Sequence, residues 1–320
     1  MAVGKGKLSS AERPRITARD LPIIAKHSIL ALASWLVPVD RLETLSAAIG
    51  KVTSLWRRTP HPIEPLVAGA LARRVSTPPA RIVAQWKSLM RVRTMQVLAL
   101  CRPGRRWRPA VRVHGKEHVA AALALKRGAI LWVSRFVYTR LATIIGLSES
   151  GIRVYQLHRP GHGFSETPFG IRYLNPIHLK IEARYIAGLI TIADDDRGGA
   201  YEAMRAHLAA NDVVWIGVGN VARRTVDVPF LGGRVRIATG PLHLARSAGA
   251  PILPVFTIRA ADGSYDVTIE PPLDPGAGEA ASYEPAVRAY TALLERYVLA
   301  NPEQWVDWQE LVVRAGEERR

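Results

Sequence analysis

The loop that follows one predicted strand carries the residues best suited to proton transfer. Its sequence, HRPGHGFSETPFG (158–170), places His158 and His162 near Ser165 and Glu166. A histidine can remove a hydroxyl proton near neutral pH, and a carboxylate beside it can fix its tautomer. Ligands of open α/β sheets collect beyond the carboxyl ends of strands, where this loop begins. The loop therefore predicts a catalytic base at His158 or His162, oriented by Glu166. Alternatively, these are ordinary loop residues and the glycines serve turns.

Four arginines at predicted strand ends are suited to binding anions. Arg135 and Arg140 follow the apolar run GAILWVS (128–134), and Arg223 and Arg224 follow the run VVWIGVG. Because a guanidinium stays protonated and presents a rigid fork of donors, it suits phosphate and carboxylate groups. These four side chains are predicted to bind substrate. The alternatives are a salt-bridged or solvated helix face for the first pair and simple exposure for the second.

Other candidate pairs carry weaker chemistry. His207 and Asp212 form the one His-x4-acid match, but they cross from a predicted helix into the next strand, and residues five apart superimpose poorly on a helix. The acidic triplet 194–196 predicts a helix N-cap, since adjacent carboxylates on an extended segment point to opposite sides. The single cysteine, Cys101, excludes an internal disulfide and a cysteine zinc cage. No metal site is expected.

Short apolar runs alternating with helical stretches must position these residues. The candidate strands are residues 111–114, 128–134, 152–157, 189–193, 213–219, 252–258 and 265–270. Most of these runs are continuously apolar, as is typical of strands covered on both faces. Helices are predicted over 197–210 and over 239–249, where Thr-Gly-Pro supplies the N-cap and first turn and Gly249 ends the helix. The ADGSY turn (261–265) predicts a hairpin that adds an antiparallel strand. The pattern indicates an α/β fold with a mixed, largely parallel sheet flanked by helices.

The positive charge is concentrated in the front of the chain. The first 127 residues hold 24 lysines and arginines against 6 acidic residues, whereas the rest holds 20 against 21. Such asymmetry is typical of a surface that meets polyanions, either nucleic acid or anionic lipid. No nucleic-acid motif accompanies the charge, so anionic membrane lipid is the expected partner and nucleic acid is not.

An apolar segment near the N-terminus favours the membrane interpretation. LPIIAKHSILALASWLVPV (21–39) has an uncharged stretch that is too short to span a bilayer. Trp35 and the basic flanks suit an interfacial helix at headgroup level, and the alternative is a helix packed on the protein's own core. We predict a basic N-terminus with this helix over 1–45, a basic helical segment over 46–110 and the α/β domain over 111–315.

Five segments in order resemble one protein superfamily over roughly residues 111–310. They are VRVHGKEHVAAALALKRGAILWVS (111–134), DVPFLGGR (227–234), TGPLHLARSAGAPILPVF (239–256), DGSYDVTIEPPL (262–273) and NPEQWVDWQEL (301–311). Together they resemble the lysophospholipid acyltransferase superfamily, and they are most similar to its branch of lipid A lauroyl and myristoyl acyltransferases. The resemblance implies a glycerolipid acyltransferase-like sheet with an N-terminal helical extension, attached to the cytoplasmic face of the inner membrane.

The resemblance also implies a reaction. A fatty acyl group would pass from acyl-ACP or acyl-CoA, used as co-substrate with no bound cofactor, to a hydroxyl of a membrane lipid or glycolipid; acyl carrier protein is then a second expected partner. The family uses a His-x4-acid dyad directly after the strand that GAILWVS occupies. Here Arg135 stands at the histidine position and Arg140 at the acid position, and an arginine cannot act as a base near neutral pH. Two functions follow: an acyltransferase with non-standard catalytic residues, or a catalytically inactive lipid-binding or accessory member.

Overall fold

The computed structural model describes residues 20–38, 41–55, 61–71, 74–100, 109–158, 167, 169–192, 197–219, 224–276 and 282–312. Their α-helices are α1 (Asp20–Leu36), α2 (Leu42–Leu55), α3 (Glu64–Leu71), α4 (Pro79–Leu100), α5 (Lys116–Ala124), α6 (Thr139–Glu149), α7 (Asn175–Glu182), α8 (Arg197–Ala209), α9 (Gly240–Ala248) and α10 (Glu284–Ala300). Their strands are β1 (Val111–His114), β2 (Ala129–Val133), β3 (Val154–His158), β4 (Gly188–Thr191), β5 (Val213–Gly217), β6 (Thr225–Phe230), β7 (Gly233–Ala238), β8 (Ile252–Arg259), β9 (Tyr265–Ile269) and β10 (Leu311–Val312).

The seven predicted strands form one sheet in the order β1-β9-β8-β2-β5-β3-β4. Strands β8, β2, β5, β3 and β4 are parallel; β9 returns antiparallel to β8, and β1 pairs parallel with β9. The predicted mixed, largely parallel sheet is therefore confirmed, as is the hairpin at the ADGSY turn.

Helices cover both faces of this sheet, which explains why its central strands are apolar throughout. In β2, Ile130 and Trp132 pack into a cluster with residues of α8, α9 and α10. Leu131 and Val133 point the other way and pack with residues of α5 and α6. Since successive side chains of a strand alternate between faces, only a continuously apolar run can supply both clusters.

A second sheet was not predicted from the sequence. Strands β6 and β7 form an antiparallel hairpin, and β10 pairs with β7. The two-residue turn places Leu231 at φ 49° and Gly232 at φ 79°, the positive values that a type I′ turn requires. The Pro-Phe-Leu-Gly block is thus the end of β6 and the turn of this hairpin.

The front helices pack on the α/β unit rather than apart from it. Helices α1, α2 and α3 all contact α4. Ile63 and Val67 belong to the same buried cluster as the central strands, while Leu30 of α1 lies in a smaller cluster with Val92 and Met95 of α4. Residues 61–100 therefore share a core with the sheet.

Helix α1 is apolar on its outer face as well. Its Leu30 is buried against α4, but four other large apolar side chains are exposed: Leu21, Ile29, Leu32 and Leu36. Trp35 is also exposed, although its indole N–H donates to the carbonyl oxygen of Leu98 at 3.2 Å. One face of this segment thus packs on the protein's own core, and the other is exposed and apolar. Among the described helices, none is both long and apolar enough to cross a membrane.

Candidate active site

A cleft opens at the carboxyl ends of β2 and β5, the central strands of the main sheet. Ser134 and Arg135 follow β2, and Val218 and Gly219 follow β5. The other walls come from β7, α10 and the C-terminal segment, through Val235, Arg236, Ile237, Tyr290, Leu294, Trp305, Asp307 and Glu310. The space amounts to about 380 Å³, part of it open to solvent. Ligands of parallel α/β sheets are expected at such a position.

The Pro-Glu-Gln-Trp tetrad (302–305) positions the C-terminal side of the cleft. Phe136 and Trp305 form an antiparallel bridge, and the N–H of Val306 donates to the carbonyl oxygen of Arg135 at 3.1 Å. The Gln304 amide makes two bonds to the backbone of Arg259, accepting from its N–H at 2.8 Å and donating to its carbonyl oxygen at 2.9 Å. Because this side-chain amide pairs with the backbone of β8 as a peptide group would, the Pro-Glu-Gln-Trp tetrad is held beside the residues that follow β2.

This arrangement brings Asp307 against Arg135. An Arg135 guanidinium nitrogen lies 3.2 Å from Oδ1 of Asp307. The arginine side chain is 51% exposed and the aspartate side chain 15% exposed, so the guanidinium group reaches solvent whereas the carboxyl group is mostly buried. Arg135 therefore lines the cleft and is paired there with a carboxylate, and its substrate-binding role stays a prediction.

The surroundings of Asp307 give its carboxyl group an unusual proton affinity. Burial raises the pKa of Asp307 to about 7, against an opposing effect of the Arg135 charge, and nearby Glu310 adds to the rise. A carboxyl group that titrates near the operating pH can both take and return a proton. Asp307 is thus the described residue of the cleft best suited to act as a base.

Tyr290 supplies a protonated hydroxyl at the base of the cleft. Burial raises its pKa well above the ordinary value of a phenol, and the charge of Asp307 raises it further. Its ring packs 4.3 Å from that of Trp132, which fixes its position against β2. The hydroxyl oxygen itself is buried, so this neutral tyrosine keeps its proton and forms the closed base of the cleft.

Arg140 lies in a different cavity from Arg135. It is on the first turn of α6, and its Nε lies 2.6 Å from Oε1 of Glu182 on α7. His178 Nδ1 is 3.1 Å from the same oxygen, and the Gln156 side-chain oxygen, in its favoured orientation, accepts from Arg140 at 3.1 and 3.2 Å. Burial alone would raise the pKa of Glu182, but His178 and Arg140 hold it below its ordinary value. The two predicted arginines therefore do not form one cationic pocket.

The other predicted residues are spread over the strand ends. His158 is the last residue of β3 and is buried, with only 4% of its surface exposed. His162, Ser165 and Glu166, together with Arg223, lie outside the described residues. Arg224 is described and exposed; its carbonyl oxygen accepts from the N–H and the hydroxyl of Thr239 at 3.1 and 3.2 Å.

The literal His-x4-acid match lies at the opposite end of the central strands from the cleft. His207 Nδ1 and Asp212 Oδ2 are 2.9 Å apart, and the imidazole stacks on Tyr155 with ring centroids 3.6 Å apart. The pair joins the end of α8 to the start of β5. It therefore lies at the amino ends of the strands, away from the cleft.

Sequence reasoning did not identify Asp307, Tyr290, His178 or Glu182. Asp307 follows the Pro-Glu-Gln-Trp tetrad, and Tyr290 precedes it, in α10. The sequence showed this tetrad only as a family signal and not as the wall of a site. His178 and Glu182 are four residues apart, a spacing that places two side chains on one helix face. That signal was available in the sequence. Within the described ranges, no group of three or more metal-ligating side chains is present.

A comparison with protein families agrees with this architecture. The family described as "Bacterial lipid A biosynthesis acyltransferase" matches residues 36–311. A search of curated proteins gave no significant match. The family match spans α2 to the end of the Pro-Glu-Gln-Trp segment and includes every wall of the cleft. The chain therefore belongs to the bacterial lipid A biosynthesis acyltransferase family.

Proposed function

We propose that this protein transfers a fatty acyl group from acyl-ACP or acyl-CoA to a hydroxyl of a membrane lipid or glycolipid, with Asp307 as the base. The observation that carries the proposal is the pairing of Asp307 with Arg135 in the cleft beyond β2. Arginine occupies the position where the family places its histidine, and a carboxyl group with a pKa of about 7 lies against it. Proton transfer then moves to the aspartate, and the family's reaction is retained.

The proposed reaction has one proton cycle. The Asp307 carboxylate takes the proton of the acceptor hydroxyl, whose oxygen attacks the carbonyl carbon of the thioester. A carbon–oxygen bond forms, the carbon–sulfur bond breaks, and the proton passes from Asp307 to the leaving thiolate. Arg135 stabilises the negative charge that develops on the carbonyl oxygen, because a preorganised donor acts strongly in a partly dry cleft.

The remaining predicted arginines serve substrate binding in this proposal. Arg223 and Arg224 come after β5 in the sequence, and Arg224 is exposed, while Arg236 lines the cleft and is paired with Asp227. Arg140 binds from the neighbouring cavity. Such groups suit the phosphates of an anionic lipid acceptor.

Membrane attachment is proposed through α1 and the basic front of the chain. The exposed apolar face of α1 suits insertion at the level of the lipid headgroups, and flanking lysines and arginines suit anionic lipid. The proposed location is the cytoplasmic face of the inner membrane, with acyl carrier protein as a soluble partner.

Acyl transfer from labelled acyl-ACP and acyl-CoA to lyso-lipid and glycolipid acceptors tests the proposal. Asp307→Asn keeps the shape of the side chain and removes the base, so kcat should fall by about 100-fold or more. The control is Asp212→Asn, which removes the carboxylate of the His-x4-acid match and should leave the rate unchanged.

The loop histidines provide the competing assignment of the base. If His162→Ala or Glu166→Gln abolishes transfer while Asp307→Asn does not, the base lies in the 158–170 loop and the role of Asp307 is wrong. His158→Gln tests the third predicted residue in the same assay.

A catalytically inactive lipid-binding or accessory protein is the second candidate. The ion pair between Arg135 and Asp307 favours this second function, because the carboxylate that would act as the base is already bound by the guanidinium group. This function predicts lipid binding without turnover on any of the acceptors, and its loss when Arg135 and Arg140 are both replaced by glutamate.

A further inference from the structure

A second cavity lies between α4, α6 and α7, beside the cleft. Its space is about 540 Å³, part of it open to solvent. The walls are mostly apolar, with four polar residues among them: Arg93, Gln96, Arg140 and His178, besides the phenol of Tyr138. None of the described residues that line it carries a carboxylate. The cavity therefore offers hydrogen-bond donors and positive charge to whatever enters it.

Among the described residues, a single carboxylate, that of Glu182, faces the positive charge of this cavity. Arg140 and His178 share one carboxylate, that of Glu182, which is 1% exposed and lies behind them. The Arg93 guanidinium has no ion pair or side-chain hydrogen bond with the described residues. Burial lowers the pKa of Arg93 and the charges of Arg140 and Arg135 lower it further, against opposing effects of Tyr138 and Glu182 that are smaller than that of burial. A partly buried cation without a counter-charge is costly, and an anionic ligand would remove that cost.

Tyr138 provides a donor that the described residues leave unused. The residue lines the cavity and is 4% exposed, and its hydroxyl oxygen is buried without a hydrogen-bond partner among the described residues. Burial raises the pKa of Tyr138, so the group remains a neutral donor. Buried hydroxyls are normally paired, so an unpaired one in a residue of the cavity wall has a donor to offer to a bound acceptor. Tyr138 also precedes the first turn of α6, whose positive dipole end adds to the same potential.

We propose that this cavity binds the phosphate group of a phosphorylated ligand through Arg93, Arg140 and the Tyr138 hydroxyl, with His178 at its edge. The donors come from α4, α6 and the segment before α6, and a tetrahedral phosphate can accept from several directions at once. The apolar side chains Val97, Leu141 and Ala142 leave room for the group that carries the phosphate. The proposal concerns binding alone and does not require acyl transfer.

Binding measurements on the full-length protein test this site. Inorganic phosphate and water-soluble dihexanoyl phosphatidic acid are titrated separately by calorimetry, with dihexanoyl glycerol as the neutral lipid control. Arg93→Gln should weaken binding of a phosphate-bearing probe by about 10-fold to 100-fold, since it removes a charged donor, and Tyr138→Phe by up to about 10-fold. Arg81→Gln makes the same change on an exposed position of α4 and should have no effect.

Thermal unfolding without ligand separates a binding role from a structural one. Because the Tyr138 hydroxyl has no partner, Tyr138→Phe should not lower Tm, whereas phosphate should raise Tm less in this variant than in the wild type. A lower Tm of the unliganded Tyr138→Phe protein would show that the hydroxyl serves the fold and would count against the proposal.

The probes distinguish the source of the phosphate. If inorganic phosphate and dihexanoyl phosphatidic acid both bind, and both bindings depend on Arg93, the cavity binds phosphate irrespective of the group that carries it. If phosphatidic acid alone binds in this way, the ligand is a lipid headgroup. If inorganic phosphate alone does, the ligand is a free phosphate. Absence of binding, or binding that is indifferent to Arg93 and Tyr138, overturns the proposal. Asp307→Asn should still bind the phosphate-bearing probes, so the binding result can be interpreted even if the proposed acyl transfer is not observed.

Discussion

At the residue scale, the neighbours of Arg135 determine which group in the cleft can take a proton. Arg135 cannot serve as a base, yet it lies against Asp307, whose carboxyl group is held in a mostly dry environment. Desolvation disfavours the ionised form more than the guanidinium restores it. A carboxylate in water would be too weak a base for this role, and the burial of Asp307 corrects that.

The titration of Asp307 predicts the pH dependence of acyl transfer. With a pKa of about 7, the required carboxylate is scarce in acid, so kcat/KM should rise about tenfold per pH unit below 7 and level off above it. The groups facing Asp307 are Arg135, Arg236, Glu310 and Tyr290, of which the tyrosine stays neutral because its pKa is raised. A rate that does not change between pH 5.5 and 8, roughly the span over which this group ionises, would contradict the assignment.

The same titration predicts a stability effect with a definite sign. The pKa of Asp307 is raised from 3.8 to about 7 on folding, so its contribution is fully present below about pH 4 and is lost as pH rises to 7. At pH 8, the free energy of unfolding of Asp307→Asn, measured with urea, should therefore exceed that of the wild type by up to about 4 kcal/mol. At pH 4, the two proteins should differ little in stability.

At the element scale, α6 decides where the two predicted arginines go. Arg135 precedes the helix and follows the direction of β2, whereas Arg140 is on its first turn and points toward α7. Helix α6 packs on the sheet through Gly146, where an added Cβ would lie 2.4 Å from a methyl carbon of Val111 and 3.0 Å from one of Val113. The close approach of α6 to β1 thus depends on a residue without a side chain.

Gly146→Ala tests this packing. Alanine favours a helix, but the clash with β1 must move α6, so a net destabilisation of about 1–3 kcal/mol is expected in urea unfolding. Gly240→Ala is the matched control, since no atom lies within 4 Å of an added Cβ at the start of α9; it should be neutral or slightly stabilising. Equal stability of the two variants would contradict the packing argument.

At the scale of the whole molecule, the excess positive charge and the exposed apolar surface both belong to the N-terminal part of the chain. The excess of lysine and arginine lies in the first 127 residues, and the exposed apolar face of α1 lies within it. Ion pairs tie this front part to the α/β unit, joining Arg74 to Glu295 and Glu43 to Arg259. Membrane contact at α1 would therefore hold the cleft at a fixed position relative to the lipid.

Vesicle co-sedimentation tests this arrangement. The protein should bind vesicles containing anionic lipid better than zwitterionic ones, and binding should weaken as salt rises. The double variant Ile29→Glu and Leu32→Glu, at side chains 65% and 59% exposed, should reduce binding about tenfold or more without lowering Tm. Leu30→Ala changes the buried face of the same helix and should instead lower stability by about 2–4 kcal/mol. Vesicle binding that the double variant leaves intact would place membrane contact elsewhere.

The sequence by itself determined the strands of the main sheet and the resemblance to the family. Short, continuously apolar runs bounded by turn residues are typical of strands covered on both faces, which made β2, β5 and β8 predictable, and Gly249, at φ 62°, ends α9 as expected. The Thr239 hydroxyl, in contrast, donates to Arg224 rather than capping α9. The β6–β7 hairpin was missed although its DVPFLGGR segment was noticed, because only its alternating burial in three dimensions distinguishes it from a loop.

Only the tertiary structure decided which chemistry the residues can perform. Asp307 meets Arg135 because the Pro-Glu-Gln-Trp segment returns from far along the chain to lie beside β2, a contact with no local pattern. Its raised pKa comes from burial, which no spacing encodes. Arg135 and Arg140 are close in sequence, yet a helix begins between them and sends them to different cavities. Local sequence determines secondary structure through backbone and burial periodicity, whereas proton affinity and pairing depend on long-range contacts.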